Sequence, residues 1–245
     1  MQMLTHAERK RIVGMHRKKG RLISGGFLVE GSKSVADLLN SGFVVERIVA
    51  TEVWQAPVAV ACPVHRVSED ELKKLSALET PQGVLAVVKI PSTPDIWTAK
   101  GRWLGLDGIQ DPGNLGTLLR LVDWFGLEGV VCSPDCVDRF NPKVVQASMG
   151  SVFRVPVVSA DLPRILHELP EAFVSAGAFL DGENLYRHGM PEAGILVLGN
   201  EGRGIRPETA HALRLRLTIP GCGQAESLNA AMAGAVFCSE WMRNS

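Results

Sequence analysis

Apolar positions recur along this chain with two periods, and the switches between the periods mark out its elements. Residues 26–30, Gly-Phe-Leu-Val-Glu, form a short apolar run that reads as a strand. Over 32–40 the spacing of Val35, Leu38 and Leu39 predicts a helix, and Gly42 ends it. Residues 44–50 are rich in β-branched side chains and 64–67 repeat the pattern, so both read as strands. Ser68 and Glu71 have the spacing of a capping box that opens a helix through Leu75, and 84–90 form a last strand. Pro91, Ser92, Thr93 and Pro94 then break both periods, because proline lacks an amide donor and restrains the residue before it. A linker is predicted there, dividing a small α/β domain at 1–92 from a larger one at 93–245.

From residue 102 onward strands and helices alternate. The pattern predicts strands at 103–109, 129–133, 152–158, 173–176, 195–199 and 216–220, with helices at 115–125, 142–149 and 226–242. Such alternation is the mark of a mostly parallel sheet wrapped by helices, an α/β fold. No internal repeat interrupts it. No apolar run reaches the roughly 18 residues a membrane helix needs, and residues 1–20 are polar and basic in place of an apolar signal core. The expectation is a soluble, cytoplasmic protein with no membrane partner.

Charge adds one local feature. Lysine plus arginine and aspartate plus glutamate both number 26, so the whole chain carries no electrostatic bias toward nucleic acid. Arg9, Lys10, Arg11, Arg17, Lys18, Lys19 and Arg21, however, occur with no acid among them. They form either a solvated helix face or a field that attracts phosphates. The five cysteines, Cys62, Cys132, Cys136, Cys222 and Cys238, are odd in number and scattered, which speaks against a disulfide framework. Cys132 and Cys136 have no second pair at ligand spacing, so no metal is expected.

Three glycine-rich loops lie at the C-terminal ends of candidate strands, where open α/β sheets bind ligands. In the first, residues 107–120, Asn114 is a good helix N-cap, and Leu115, Leu118, Leu119, Val122 and Phe125 form a buried stripe from which Arg120 falls away. A cap and a solvated arginine explain these two residues singly. The second, 195–204, runs Ile-Leu-Val-Leu-Gly-Asn-Glu-Gly-Arg-Gly. It lacks the GxGxxG spacing of dinucleotide enzymes, and Glu201 would repel a phosphate, so a neutral or cationic ligand fits better than NAD. In the third, 217–234, Ser227 and Asn229 precede a helix of small residues, and capping alone explains each of them.

Taken jointly, Asn114-Leu-Gly-Thr-Leu-Leu-Arg120, Leu198-Gly-Asn-Glu-Gly202, and Ile219-Pro220 followed by Ser227-Leu-Asn229 resemble the three motifs of the SpoU (TrmH) family in the SPOUT methyltransferase superfamily. Residues 141–150 are similar to the family as well, while Leu28-Val-Glu-Gly-Ser32 and Pro81-Gln-Gly-Val84 resemble an L30e-like substrate-binding domain. The resemblance implies a C-terminal domain with a trefoil knot that holds S-adenosylmethionine bent, without metal. It places backbone groups of Leu198, Gly199, Ile219 and Leu228 on adenine and ribose, with Gly202, Pro220 and Asn229 completing the pocket. It implies Asn114, Arg120, Glu201, Ser227 and Asn229 as the catalytic set for 2'-O-ribose methylation of RNA.

Within that set Arg120 either activates the hydroxyl or grips the neighbouring phosphate. A guanidinium with a pKa above about 12 is better suited to the grip. Glu201 orients Arg120 or Asn114, and Ser227 and Asn229 tie the loops together. The basic stretch becomes an RNA-docking arm. The implied substrate is ribosomal RNA, most of all 23S, with tRNA methylation or a noncatalytic RNA-binding relative as alternatives. The implied assembly is a homodimer, for which the helix at 226–242, carrying Phe237 and Trp241, is either an interface element or intramolecular core.

Overall fold

The computed structural model describes residues 4–92 and 95–243; Thr93 and Pro94 of the expected linker lie outside the described residues. The chain begins with helices α1 (His6–Gly14) and α2 (Lys18–Ser24), followed by β1 (Gly26–Glu30), α3 (Ser32–Leu39), β2 (Val45–Ala50), β3 (Val64–Arg66), α4 (Glu69–Leu75) and β4 (Val84–Lys89). There follow β5 (Arg102–Asp107), α5 (Pro112–Phe125), β6 (Gly129–Cys132), α6 (Pro142–Ser148) and β7 (Val157–Ser159). The remainder is α7 (Leu162–His167), β8 (Val174–Asn184), α8 (Leu185–His188), β9 (Gly194–Gly199), α9 (Pro207–Ala212), β10 (Leu215–Thr218) and α10 (Ala230–Met242).

Two compact units result, Met1–Thr93 with Asp138–Arg154, and Pro94–Val137 with Val155–Ser245. The first contains a four-stranded sheet in the order β1-β4-β2-β3. Its core includes Leu28, Val49, Leu72, Leu75, Leu85 and Val87. Segment 138–154 joins this unit, whereas the sequence boundary assigned it to the second domain, and aromatic packing gives the reason. Phe140 stacks on Phe27 with centroids 4.3 Å apart, and Phe153 meets Phe43 edge-on at 5.5 Å. An apolar surface of this size gains more from burial than a short loop loses in freedom.

The second unit contains a six-stranded sheet in the order β10-β8-β9-β5-β6-β7. Every pairing in it is parallel. Central β5 and β9 are nearly continuous apolar runs, as strands covered on both faces must be. On one side α10 lies against α5, and Gly234 makes the approach possible. A Cβ there would sit 2.6 Å from Leu118 Cδ2.

Helices α7, α8 and α9 have no counterpart in the sequence expectation, and three expected elements differ in kind or extent. The strand expected at 152–158 is a 3-10 turn at Ser151–Phe153, followed by β7 alone. The reason is local: Pro156 offers no ladder donor, and Phe153 is committed to Phe43. The strand expected at 173–176 extends as β8 to Asn184, because β10 pairs along it with a register shift between Arg216 and Leu217. Gly177 and Gly182 concealed that extension in the sequence. The last helix opens at Ala230, four residues beyond the expected start at 226. No helix among the described residues is long and apolar enough to cross a membrane.

Candidate active site

The loops after β5, β9 and β10 converge through one side chain. Asn114 lies inside α5, where Asp111 is the N-cap and accepts from the Asn114 amide at 2.8 Å. This corrects the capping role expected for Asn114. The chain signalled it through Pro112, since proline favours the first helical position and moves the cap to the residue before it. Freed from capping, the buried Asn114 side chain donates from Nδ2 to Glu201 Oε1 at 2.7 Å. Its Oδ1 accepts from Asn229 Nδ2 at 2.9 Å.

These partners fix the orientation of both amides. A carboxylate only accepts, so the nitrogen of Asn114 must face Glu201 and its oxygen must face Asn229. Asn229 is likewise fixed, because its Oδ1 caps α10 by accepting from Ala231 and Met232 at 2.9 and 3.3 Å. It therefore caps a helix and ties two loops at once. Glu201 orients Asn114, and no hydrogen bond or ion pair joins it to Arg120.

Glu201 rides on a closed turn. Asn200 and Gly204 exchange two backbone hydrogen bonds, at 3.0 and 2.9 Å. Asn200 Oδ1 accepts from the amides of Gly202 and Arg203 at 3.0 and 3.1 Å. Gly204 adopts φ of 70°, and a Cβ on Gly199 would lie 2.1 Å from the Gly204 carbonyl carbon, so two glycines are obligatory here. Arg120 is exposed on α5 and makes no hydrogen bond or ion pair with another described residue. Ser227 is exposed, without a hydrogen bond to a described residue, and does not join the loops.

The chain matches the SpoU rRNA methylase family over residues 102–239 and the MRM3-like substrate binding domain over residues 8–86. It belongs to the SpoU methylase family. It is 35% identical over 229 residues to the Bacillus subtilis 23S rRNA (guanosine(2553)-2'-O)-methyltransferase RlmP, covering 91% of each chain. A protein assigned to the TrmH family of RNA methyltransferases from Porphyromonas gingivalis superposes with a TM-score of 0.90, at 40% identity and full coverage of both chains. The AdoMet-bound rRNA methyltransferase of Sinorhizobium meliloti gives 0.87 at 30% identity, covering 100% of this chain and 97% of that one.

The residues expected to hold the cofactor lie at the ends of β9 and β10. Leu198 and Gly199 end β9, and Gly202 lies in the closed turn. Ile219, Pro220 and Leu228 lie in the segment between β10 and α10, in which residues 220–229 are all exposed. No backbone hydrogen bond joins residues 221–228 to the rest of the described chain. This run therefore presents uncommitted amides and carbonyls beside a half-exposed Leu228, polar groups next to an apolar one. Among the described residues no group of three or more His, Cys, Asp or Glu is arranged to hold a metal ion.

The basic stretch of the SpoU chain divides in two. Arg21 is a core residue, 2% exposed, bonded to Asp138 and to the carbonyls of Met15 and His16. Arg11 forms a forked pair with Glu46, and Arg9 pairs with Glu71. Only Lys10, Arg17, Lys18 and Lys19 are exposed without a side-chain partner among the described residues. The expected RNA-docking role of Arg21 is thus corrected to a structural one: a guanidinium satisfied by carbonyls and a carboxylate is not available to phosphate. Phe237 and Trp241 are also buried within their own unit, 1% and 3% exposed, so they are core and not interface.

Sequence reading missed Asp107, Asn200 and Arg206, which hold the Glu201 loop. Asp107 is fully buried at the end of β5. It accepts from the backbone N–H of Arg206 at 2.9 Å and from its Nε at 2.7 Å. An aspartate that ends an apolar strand was the available signal, because a charge there must find a partner.

Proposed function

We propose that the protein transfers the methyl group of S-adenosylmethionine to a ribose 2'-hydroxyl of ribosomal RNA, with 23S rRNA as the substrate. The carrying observation is the Glu201–Asn114–Asn229 chain, which locks the three motif loops in one arrangement. The cofactor supplies a sulfonium methyl group open to in-line attack. The residues of this chain have the remaining tasks. Residues 198–202 and 219–229 hold the cofactor through backbone groups. Arg120, exposed and unpaired among the described residues, grips the RNA phosphate next to the target ribose and aligns the hydroxyl. Asn114 has both ends of its amide engaged, so it sets the distance between loops and does not take the proton. Ser227 acts on the substrate side, where its hydroxyl is uncommitted.

Lys10, Arg17, Lys18 and Lys19 neutralise phosphates farther along the RNA. The same reading includes the family's knot, a homodimer and a cytoplasmic site of action, all three carried by the family resemblance. Incubation with labelled S-adenosylmethionine and separate pools of unmodified 23S rRNA, 16S rRNA and tRNA tests it. Label at a 2'-oxygen of 23S rRNA, abolished by Arg120→Ala, is the expected result. Label in tRNA alone would move the substrate to tRNA, and tight binding of cofactor and RNA without label would make the protein a noncatalytic relative.

A further inference from the structure

We propose that Asp107 and Arg206, braced by Asn200, are positioning residues that set Glu201 for the transfer reaction; the proposal rests on the methyltransferase reading above. The loop from Gly199 to Arg206 is tied to one residue at both of its ends. Its start is held by the β5–β9 ladder, where Asp107 is the partner of Gly199. Its finish is held by the Asp107 carboxylate, which takes one oxygen to the Arg206 backbone N–H and the other to its guanidinium. The backbone bond is the informative one. A side-chain pair alone would leave the peptide of residue 206 free to slide, whereas an amide held at 2.9 Å fixes where the loop ends.

The middle of the loop is fixed as well. Asn200 Nδ2 donates to the Gly108 carbonyl at 2.8 Å, one residue beyond Asp107. The Gly108 amide donates to Ser133 Oγ at 2.8 Å, and that hydroxyl donates to Asp135 at 2.6 Å. Asp135 in turn lies 3.6 Å from the Arg206 guanidinium. The ends of β5, β6 and β9 therefore form one cross-linked ring, from which only the tip carrying Glu201 projects toward Asn114. Hydrogen bonding to Asp107 raises the Arg206 pKa further, and the Ser133 hydroxyl lowers that of Asp135, so both groups stay charged throughout the working range.

Burying a carboxylate completely is costly, and an apolar pair of similar volume would hold a loop at least as stably. What a charged, forked pair adds is direction, which a reaction needing sub-ångström alignment can use. Asp107 and Arg206 do not touch substrate in this scheme. They act through Glu201 and Asn114.

The test is a double-mutant cycle on kcat, with Asp107→Asn made in the wild type and in the Glu201→Ala protein, alongside the S-adenosylmethionine Kd from equilibrium dialysis. In the wild type, Asp107→Asn lowers kcat by about tenfold to a hundredfold and leaves the RNA KM within about twofold. In the Glu201→Ala background it lowers kcat by less than about threefold, because the acceptor for Asn114 is gone and the route is already broken. Equal losses in the two backgrounds, or wild-type kcat in Asp107→Asn, would overturn the proposal. Should Asp107→Asn fail to fold, Arg206→Lys is read in the same cycle with the same two outcomes, since it keeps the charge and the backbone bond but loses the fork. If wild-type protein methylates no RNA, the methyltransferase reading fails on its own. The positioning role is then judged from cofactor affinity, which weakens about tenfold in Asp107→Asn if the ring shapes the loop and is unchanged if it does not.

Discussion

Arg21 and Lys18 occupy the same basic run, yet their surroundings separate them. Arg21 is enclosed, with Nε at 2.8 Å from Asp138 and Nη1 at 2.9 Å from the Met15 carbonyl, and Lys18 is exposed. Removing Arg21 leaves the partly buried Asp138 charged without its partner, and leaves the Met15 and His16 carbonyls without their donor. Arg21→Ala should therefore cost about 3 kcal/mol of stability in urea denaturation, and Lys18→Ala should leave the midpoint within about 0.5 kcal/mol. The opposite ranking would place Arg21 at the surface. A similar contrast applies to Asn114, whose neighbours dictate which end of the amide is nitrogen. Asn114→Ala removes the link between loops, but Asn114→Asp sets two carboxylates face to face at hydrogen-bond distance. Asp should lower kcat more than Ala, each by at least about tenfold, although it is the closer in shape. Steady-state methyl transfer for the two variants decides the order.

Elements with strong local signals are legible in the sequence alone. Strand β1, helix α3 and helix α4 match their expected spans closely, because apolar spacing and the Ser68 cap act within a few residues. What the sequence concealed depends on distant partners. The extension of β8 exists because β10 pairs with it, and the placement of 138–154 depends on Phe27 and Phe43, more than ninety residues away. In the site, motif order singled out Asn114, Glu201 and Asn229, whereas Asp107 is signalled only by a charge at the end of an apolar strand and its partner Arg206, the residue before α9, has no local signature.

Helix α1 carries a capping box that makes its own prediction. Glu8 accepts from the Thr5 amide and pairs with Arg47, and these hold its carboxyl at about 2, below the ordinary 4.5. A lowered folded pKa stabilises the fold fully above 4.5 and loses that contribution as pH falls through 2. Glu8→Gln should accordingly unfold at lower urea than the wild type at pH 7, with the gap closing as the solution is acidified toward pH 2. A gap that stays constant with pH would remove Glu8 from the acid-sensitive groups.

At the scale of the whole molecule, the covalent order of the chain and its compact units do not coincide. Residues 138–154 are encoded between β6 and β7 of the second sheet, yet their aromatic side chains complete the core of the first unit. A catalytic fragment cut at 94–245 would retain every motif of the site and lose the partners of Phe140 and Phe153. Stacked and edge-on aromatic contacts of this kind contribute about 1 kcal/mol each beyond the burial of their area, and stripping them exposes two large rings to water. The fragment should bind the dye ANS, aggregate on concentration and melt at least about 5 °C below the full chain. Coexpression with residues 1–93 should reverse this, because it returns Phe27 and Phe43. A fragment that is monodisperse, free of dye binding and as heat-resistant as the full chain would mean that 138–154 has a second stable packing, and that the boundary drawn at residue 92 by sequence is also a boundary of folding.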